Sequence, residues 1–148
     1  MLLEVVIVIS IIVGAMLAAL AVTQKSIYLS RQSLNQAQVL YFLEEGVEAT
    51  RLIRDNGWPN ISALTNSTEY YLNFSGGTWN FTTTPESSDI FTRKVVFAPA
   101  YRDGNDNLAE SGTLDEQVRL VTVTVSWPEG VETISRSLQF YLADIFSG

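Results

Sequence analysis

The chain contains no cysteine and no histidine among its 148 residues. These absences exclude disulfide bonds, thiolate or imidazole metal sites, and nucleophilic catalysis by Ser-His or Cys-His pairs. Positive charge is also scarce, because 9 lysine and arginine residues stand against 16 aspartate and glutamate residues, for a net charge of −7. Nucleic-acid phosphates require lysine and arginine. We therefore expect neither an enzyme nor a nucleic-acid-binding protein.

The negative charge is concentrated in the second part of the chain. Residues 1–56 contain four basic and five acidic residues, whereas residues 57–148 contain five basic and eleven acidic residues. A chain of this length has room for one modest domain. We predict a long N-terminal helix over residues 1–56 and an antiparallel β domain over residues 57–148.

The predicted helix begins with an apolar stretch that has no charge from residue 5 to residue 22. As a helix these 18 residues would span about 27 Å, close to the roughly 30 Å of a bilayer core. A cleaved signal peptide would need a basic segment before the apolar stretch, and no basic residue stands there. We predict a transmembrane or filament-core segment over residues 1–25 and an amphipathic segment over residues 26–56.

Two features of the apolar segment suggest contacts with other helices. Glu4 places a carboxylate at the edge of the segment, where it either lies in the headgroup region or meets a cation of another chain, such as a neighbouring α-amino group. A stripe of small residues would let helix backbones approach closely, although small residues are also common in any membrane helix. The stripe consists of Ser10, Gly14, Ala18 and Ala21.

The amphipathic segment has apolar residues at helical spacing, which predicts one buried face. An Asn56-Gly57 pair suits a helix C-cap, and Pro59 cannot continue the helix, so we expect the helix to end near Asn56. The residues predicted to pack between this helix and the sheet are Val39, Phe42, Gly46, Ala49 and Ile53.

The second part of the chain alternates apolar and polar residues, which is typical of β-strands. Turn residues at 75–77 and 128–130 predict two hairpins. We therefore predict an α+β fold in which the helix packs on an antiparallel sheet of about four or five strands. The predicted strands lie at residues 69–74, 78–84, 91–97, 118–127 and 134–142.

Two sets of polar residues, an acidic loop and four sequons, each have two interpretations. Oxygen ligands at alternate positions suit Ca²⁺, but the spacing is not that of an EF-hand, and the same residues suit a solvated acidic loop. Asn-x-Ser/Thr sequons are glycosylation acceptors or an ordinary polar tract. No other cofactor is expected. The loop residues are Asp103, Asn105, Asp106 and Asn107, and the sequons begin at Asn60, Asn66, Asn73 and Asn80.

The first 14 residues, MLLEVVIVISIIVG, resemble the mature N-terminus of the type IV pilin and pseudopilin family. The resemblance implies a leader removed by a prepilin peptidase, a methylated N-terminus, and a helix whose second half lies behind a sheet. The sequence departs from the family in having one residue fewer before Glu4 and no proline after Gly14. The first departure implies either that another residue precedes Met1 in the mature chain or that the cleavage point is shifted.

The resemblance also implies a function. The chain would be a structural subunit of a type IV pilus-like filament, a helical homopolymer with roles in adhesion and motility, in which Glu4 neutralises a neighbouring N-terminal amine. It would lie in the inner membrane before assembly, with its assembly machinery, and on the cell surface afterwards. The alternative is a minor pilin or pseudopilin that primes or tips a secretion or DNA-uptake pseudopilus. A membrane-anchored ligand-binding domain is a third interpretation.

Overall fold

The computed structural model describes residues 2–145 and begins with a 54-residue helix, α1 (Leu2–Asp55). No proline interrupts this helix, because the first proline of the chain is Pro59. Gly57 ends it with a φ of 135°, a conformation that glycine adopts with little strain, and its amide donates to the carbonyl of Arg54 at 2.8 Å. Pro59 then begins a short helix, α2 (Pro59–Ser62). The predicted single long helix is confirmed.

The chain divides into two compact units between Gln38 and Val39. Every side chain of residues 2–31 in the first unit is exposed. The second unit contains the end of α1, the short helix and the whole β-sheet. One continuous helix therefore contributes to both units.

The sheet of the second unit is antiparallel and has seven strands. Five of them follow the order β2-β1-β4-β6-β7, and two strands of only two residues pair with β4. The α+β class is confirmed. The prediction of four or five strands missed the two short strands, because a strand of two residues is too short to show an alternation of apolar and polar residues. The strands are β1 (Glu69–Ser75), β2 (Thr78–Thr82), β3 (Ser87–Ser88), β4 (Phe91–Arg102), β5 (Leu108–Ala109), β6 (Thr113–Glu129) and β7 (Glu132–Ala143).

Both predicted hairpins are present. Gly76 and Gly77 connect β1 to β2 with φ angles of 62° and 81°, which is the backbone geometry that a tight antiparallel turn needs. Gly130, with a φ of 68°, connects β6 to β7. Glycine supplies these positive φ angles because it has no Cβ to clash with the backbone.

The core lies between one face of the sheet and the buried face of α1. Strand β6 shows the alternation that the sequence predicts: Val121, Val123 and Val125 are fully buried on one face, and Thr122 and Thr124 lie on the other. Burial of such side chains contributes about 1.5–3 kcal/mol each. Further buried members of the core are Leu43, Val47, Ile61, Tyr70, Leu72, Phe91, Val95, Phe97, Trp127 and Leu142.

A bulge interrupts the pairing of the two longest central strands. Pro99 of β4 pairs with Arg119 of β6, but the next residue, Ala100, pairs with Asp115. Residues 116–118 of β6 therefore have no partner in β4. Bulges of this kind bend a strand and redirect its side chains. On the N-terminal side of the bulge, β6 extends back to Thr113, several residues before the predicted start at 118.

Candidate functional site

The N-terminal part of α1 presents apolar surface on all its sides. Within residues 2–22 the only charged side chain is Glu4, and the side chains of this segment are exposed in the structure. By length and composition, α1 is the one helix within residues 2–145 that can cross a membrane. A surface of this size is unfavourable in water, so it requires lipid or other helices around it.

The stripe residues lie along this apolar segment of the helix. A Cβ added to Gly14 would have no atom within 4 Å, so the backbone is open to a neighbour there. The hydroxyl of Ser10 donates to the carbonyl of Val6 at 2.7 Å, and that of Thr23 donates to Ala19 at 2.9 Å. Both hydroxyls are thus satisfied inside the helix and can enter an apolar contact without an unpaired polar group.

Glu4 lies in the first turn of α1, where a negative charge is favoured by the helix dipole. Within residues 2–145 no lysine or arginine forms an ion pair with it. Met1, whose α-amine is the predicted type of partner, lies outside the described residues. The pairing between subunits therefore stays a prediction.

The predicted helix–sheet residues occupy one face of the second part of α1. The structure buries Val39, Gly46, Ala49 and Ile53, and it packs Phe42 against the core with its ring centroid 5.2 Å from that of Phe91. The buried face is therefore continuous over four turns of the helix.

Helix and sheet approach each other closely at Gly46. A Cβ there would lie 2.7 Å from Cγ1 of Val123 and 3.0 Å from Cδ of Arg93. One turn later, Thr50 is fully buried and its hydroxyl donates to the carbonyl of Gly46 at 2.7 Å. The role of Thr50 is not predictable from the sequence, because no local pattern shows that a threonine within an apolar stripe will bond to the backbone of its own helix.

Arg93 of β4 joins the sheet to the helix, a role that the sequence analysis missed. Its side chain is 12% exposed, donates to the carbonyl of Phe42 at 3.2 Å and forms an ion pair with Glu45. Its guanidinium carbon also lies 5.4 Å from the ring centroid of Trp79, within cation–π range. The only sign of this role in the sequence is the alternation of β4, which places Arg93 on the same face as the buried Phe91 and Val95.

The acidic loop uses its first carboxylate to hold its own backbone. Oδ1 of Asp103 accepts the amides of Asn107 at 2.9 Å and Asn105 at 2.8 Å, and these hydrogen bonds lower the pKa of Asp103. Arg102 donates to the carbonyl of Asp106 at 2.8 Å. Within residues 2–145 no group of three or more acidic side chains is gathered for a metal ion, so the arrangement gives no independent support to the calcium interpretation.

The four sequon asparagines do not form one cluster of contacts. Asn60 in α2 donates to the carbonyl of Ile53 at 3.4 Å, and Asn66 accepts from Arg119. Asn73 in β1 donates to the carboxylate of Glu86, while Asn80 in β2 donates to the carbonyl of Thr78 at 3.2 Å. Their side chains thus have structural partners, and the glycosylation interpretation stays a prediction.

Comparison of the chain with protein-family models, with curated proteins and with solved structures finds no match. The resemblance to pilins therefore depends on the N-terminal residues and on the architecture. A long N-terminal apolar helix packed on an antiparallel sheet is compatible with a pilin-like fold.

Proposed function

We propose that this chain is a structural subunit of a type IV pilus-like extracellular filament. One observation carries the proposal: the same helix supplies exposed apolar surface over residues 2–22 and the buried face of a β domain over residues 39–53. A membrane span accounts for the first part, and a docked domain accounts for the second. A subunit whose helices pack together in a fibre accounts for both parts and also for the stripe of small residues along the apolar segment.

The stripe of Ser10, Gly14, Ala18 and Ala21 supports close packing of these helices. Each subunit would contact the next through different surfaces, and a contact of this kind that does not close on itself builds a helical filament. Before assembly the apolar segment would lie in the inner membrane, where the prepilin peptidase and the assembly machinery act on it. After assembly the fibre would be on the cell surface.

Electron microscopy of material sheared from cells, with immunogold labelling of this chain, tests the proposal. We expect labelled fibres along their whole length, and mass spectrometry should find a methylated N-terminal residue. Label confined to fibre tips, or to short fibres made mostly of another chain, would favour the minor pilin or pseudopilin. Recovery of the chain in the soluble fraction, with no fibre, would contradict both.

Substituting Ala18 with leucine should lower the yield of sheared fibres about tenfold, because a larger side chain in the stripe separates the helix backbones. The chain should still be recovered in the membrane fraction. Ile12→Phe is the matched control, since residue 12 lies on the side of the helix opposite the stripe and also gains volume. An equal loss of fibres in both variants would contradict packing through the stripe.

A further inference from the structure

The β domain contains an open groove that the proposed assembly does not use. Its volume is about 680 Å³. Two half-buried aromatic side chains and several planar polar groups line it. The lining includes Trp58, Asn66, Tyr101, Glu116, Gln117 and Arg119.

The bulge in β6 forms one wall of this groove. Residues 116–118 have no partner in β4, so the strand departs from the regular ladder where Glu116 and Gln117 line the groove. On the other wall, Trp58 stands immediately before Pro59, whose ring fixes the start of α2. Both walls are therefore parts of the folded domain rather than of a long loop.

The polar groups of the groove are held by hydrogen bonds. Arg119 donates one Nη to the carbonyl of Ser62 at 2.8 Å and the other to Oδ1 of Asn66. The carboxylate of Asp115 accepts hydrogen bonds from Nε of Arg102 at 2.7 Å and from the backbone amide of Gln117 at 2.9 Å. Its side chain is only 12% exposed. The guanidinium of Arg119 and the carboxylate of Asp115 are thus fixed in place before any ligand arrives, which lowers the entropic cost of binding.

This combination of groups matches the surface of a sugar ring. A pyranose has an apolar C–H face that an aromatic ring can cover, and hydroxyls that both donate and accept hydrogen bonds. Specific small-ligand sites combine aromatic walls with a few fixed polar groups in the same way. Tyr101 and Trp58 supply the aromatic surface, the side-chain amide of Gln117 can both donate and accept, and the side-chain amide of Asn66 can donate through Nδ2.

The charge of the groove limits the class of sugar. Three carboxylates, those of Asp115, Glu116 and Asp144, line it, and they are offset only in part by the guanidinium of Arg119 and by that of Arg102, which pairs with Asp115. This balance disfavours sialylated or uronate sugars, whose carboxylates would be repelled. We propose that the groove is a binding site for a neutral saccharide, a function separate from filament assembly.

A glycan array probed with the full-length chain tests this site. The chain is kept in a detergent without a sugar headgroup, and the array carries neutral, sialylated and uronate oligosaccharides together with oligolysine. We expect binding to neutral glycans, weakened about tenfold or more by Trp58→Ala and by Gln117→Ala, because each loses a direct contact with the sugar. Tyr41→Ala is the control: Tyr41 is 72% exposed and lies outside the groove.

Gln117→Ala keeps the test independent of folding, since Trp58 also packs against the core whereas the side chain of Gln117 is exposed. Absence of binding to any glycan, or binding only to anionic glycans or to oligolysine, would overturn the proposal. If Trp58→Ala and Gln117→Ala bind neutral glycans as well as the Tyr41→Ala control does, the proposal is also overturned, because the binding site would lie elsewhere. The array does not require fibres, so its outcome is separable from that of the assembly experiments.

Discussion

Replacing Glu4 with alanine is expected to abolish filaments, or to lower their yield by more than tenfold, while the chain remains in the membrane. In the proposed fibre the Glu4 carboxylate neutralises the α-amine of a neighbouring subunit inside an apolar core. The substitution leaves that α-amine unpaired in the apolar core. An unpaired charge in such a core costs up to about 2.5–3.5 kcal/mol, and about 1.4 kcal/mol corresponds to a tenfold change in an equilibrium constant. Membrane insertion depends on residues 5–22, which the substitution leaves unchanged.

The experiment compares sheared fibres with the membrane fraction of the same cells. Glu44→Ala is the matched control, because Glu44 is another exposed carboxylate on α1 and lies outside the apolar segment. Glu4→Gln separates charge from size: if the charge matters, this variant should assemble as poorly as Glu4→Ala. Normal fibre yield from Glu4→Ala would contradict the pairing between subunits.

The long helix and the principal strands are predictable from the sequence because their signals are local. Residues 2–55 contain no proline, and the change from all-round apolar to one-sided apolar character is visible in the order of residues. The alternation of valine and threonine in β6 likewise predicts which side chains are buried. In each case the periodicity of the element is enough, and no knowledge of distant residues is needed.

The contacts that join these elements are not predictable in the same way. Arg93 donates to the carbonyl of Phe42, 51 residues earlier in the chain, and no sequence pattern connects the two. The register shift at Pro99 and Ala100 arises from pairing with β6, and the groove beside it also requires α2. Contacts between copies of the chain involve a second molecule, so the proposed assembly site is inferred from Glu4 and the stripe.

Substituting Gly46 with leucine is expected to destabilise the unit that contains the sheet by about 3 kcal/mol or more. Even a Cβ at this position would lie 2.7 Å from Cγ1 of Val123, a branched side chain that is itself fully buried. For a unit of this size the melting temperature should fall by roughly 10 °C or more. Gly46→Ala should lower stability less than Gly46→Leu does. Alanine also clashes with Val123, but its higher helix propensity, worth about 1 kcal/mol, offsets part of that cost.

Tryptophan fluorescence during thermal unfolding measures this effect, since Trp58, Trp79 and Trp127 all belong to the second unit. Gly14→Leu is the matched control, because it makes the same substitution in the same helix where no atom lies within 4 Å. We expect its melting temperature to equal that of the wild type while its fibre yield falls, since Gly14 belongs to the stripe. If Gly46→Leu also melts like the wild type, helix and sheet do not pack through Gly46. If Gly14→Leu lowers the melting temperature as much as Gly46→Leu does, the two glycines do not have the separate roles in assembly and folding that we propose for them.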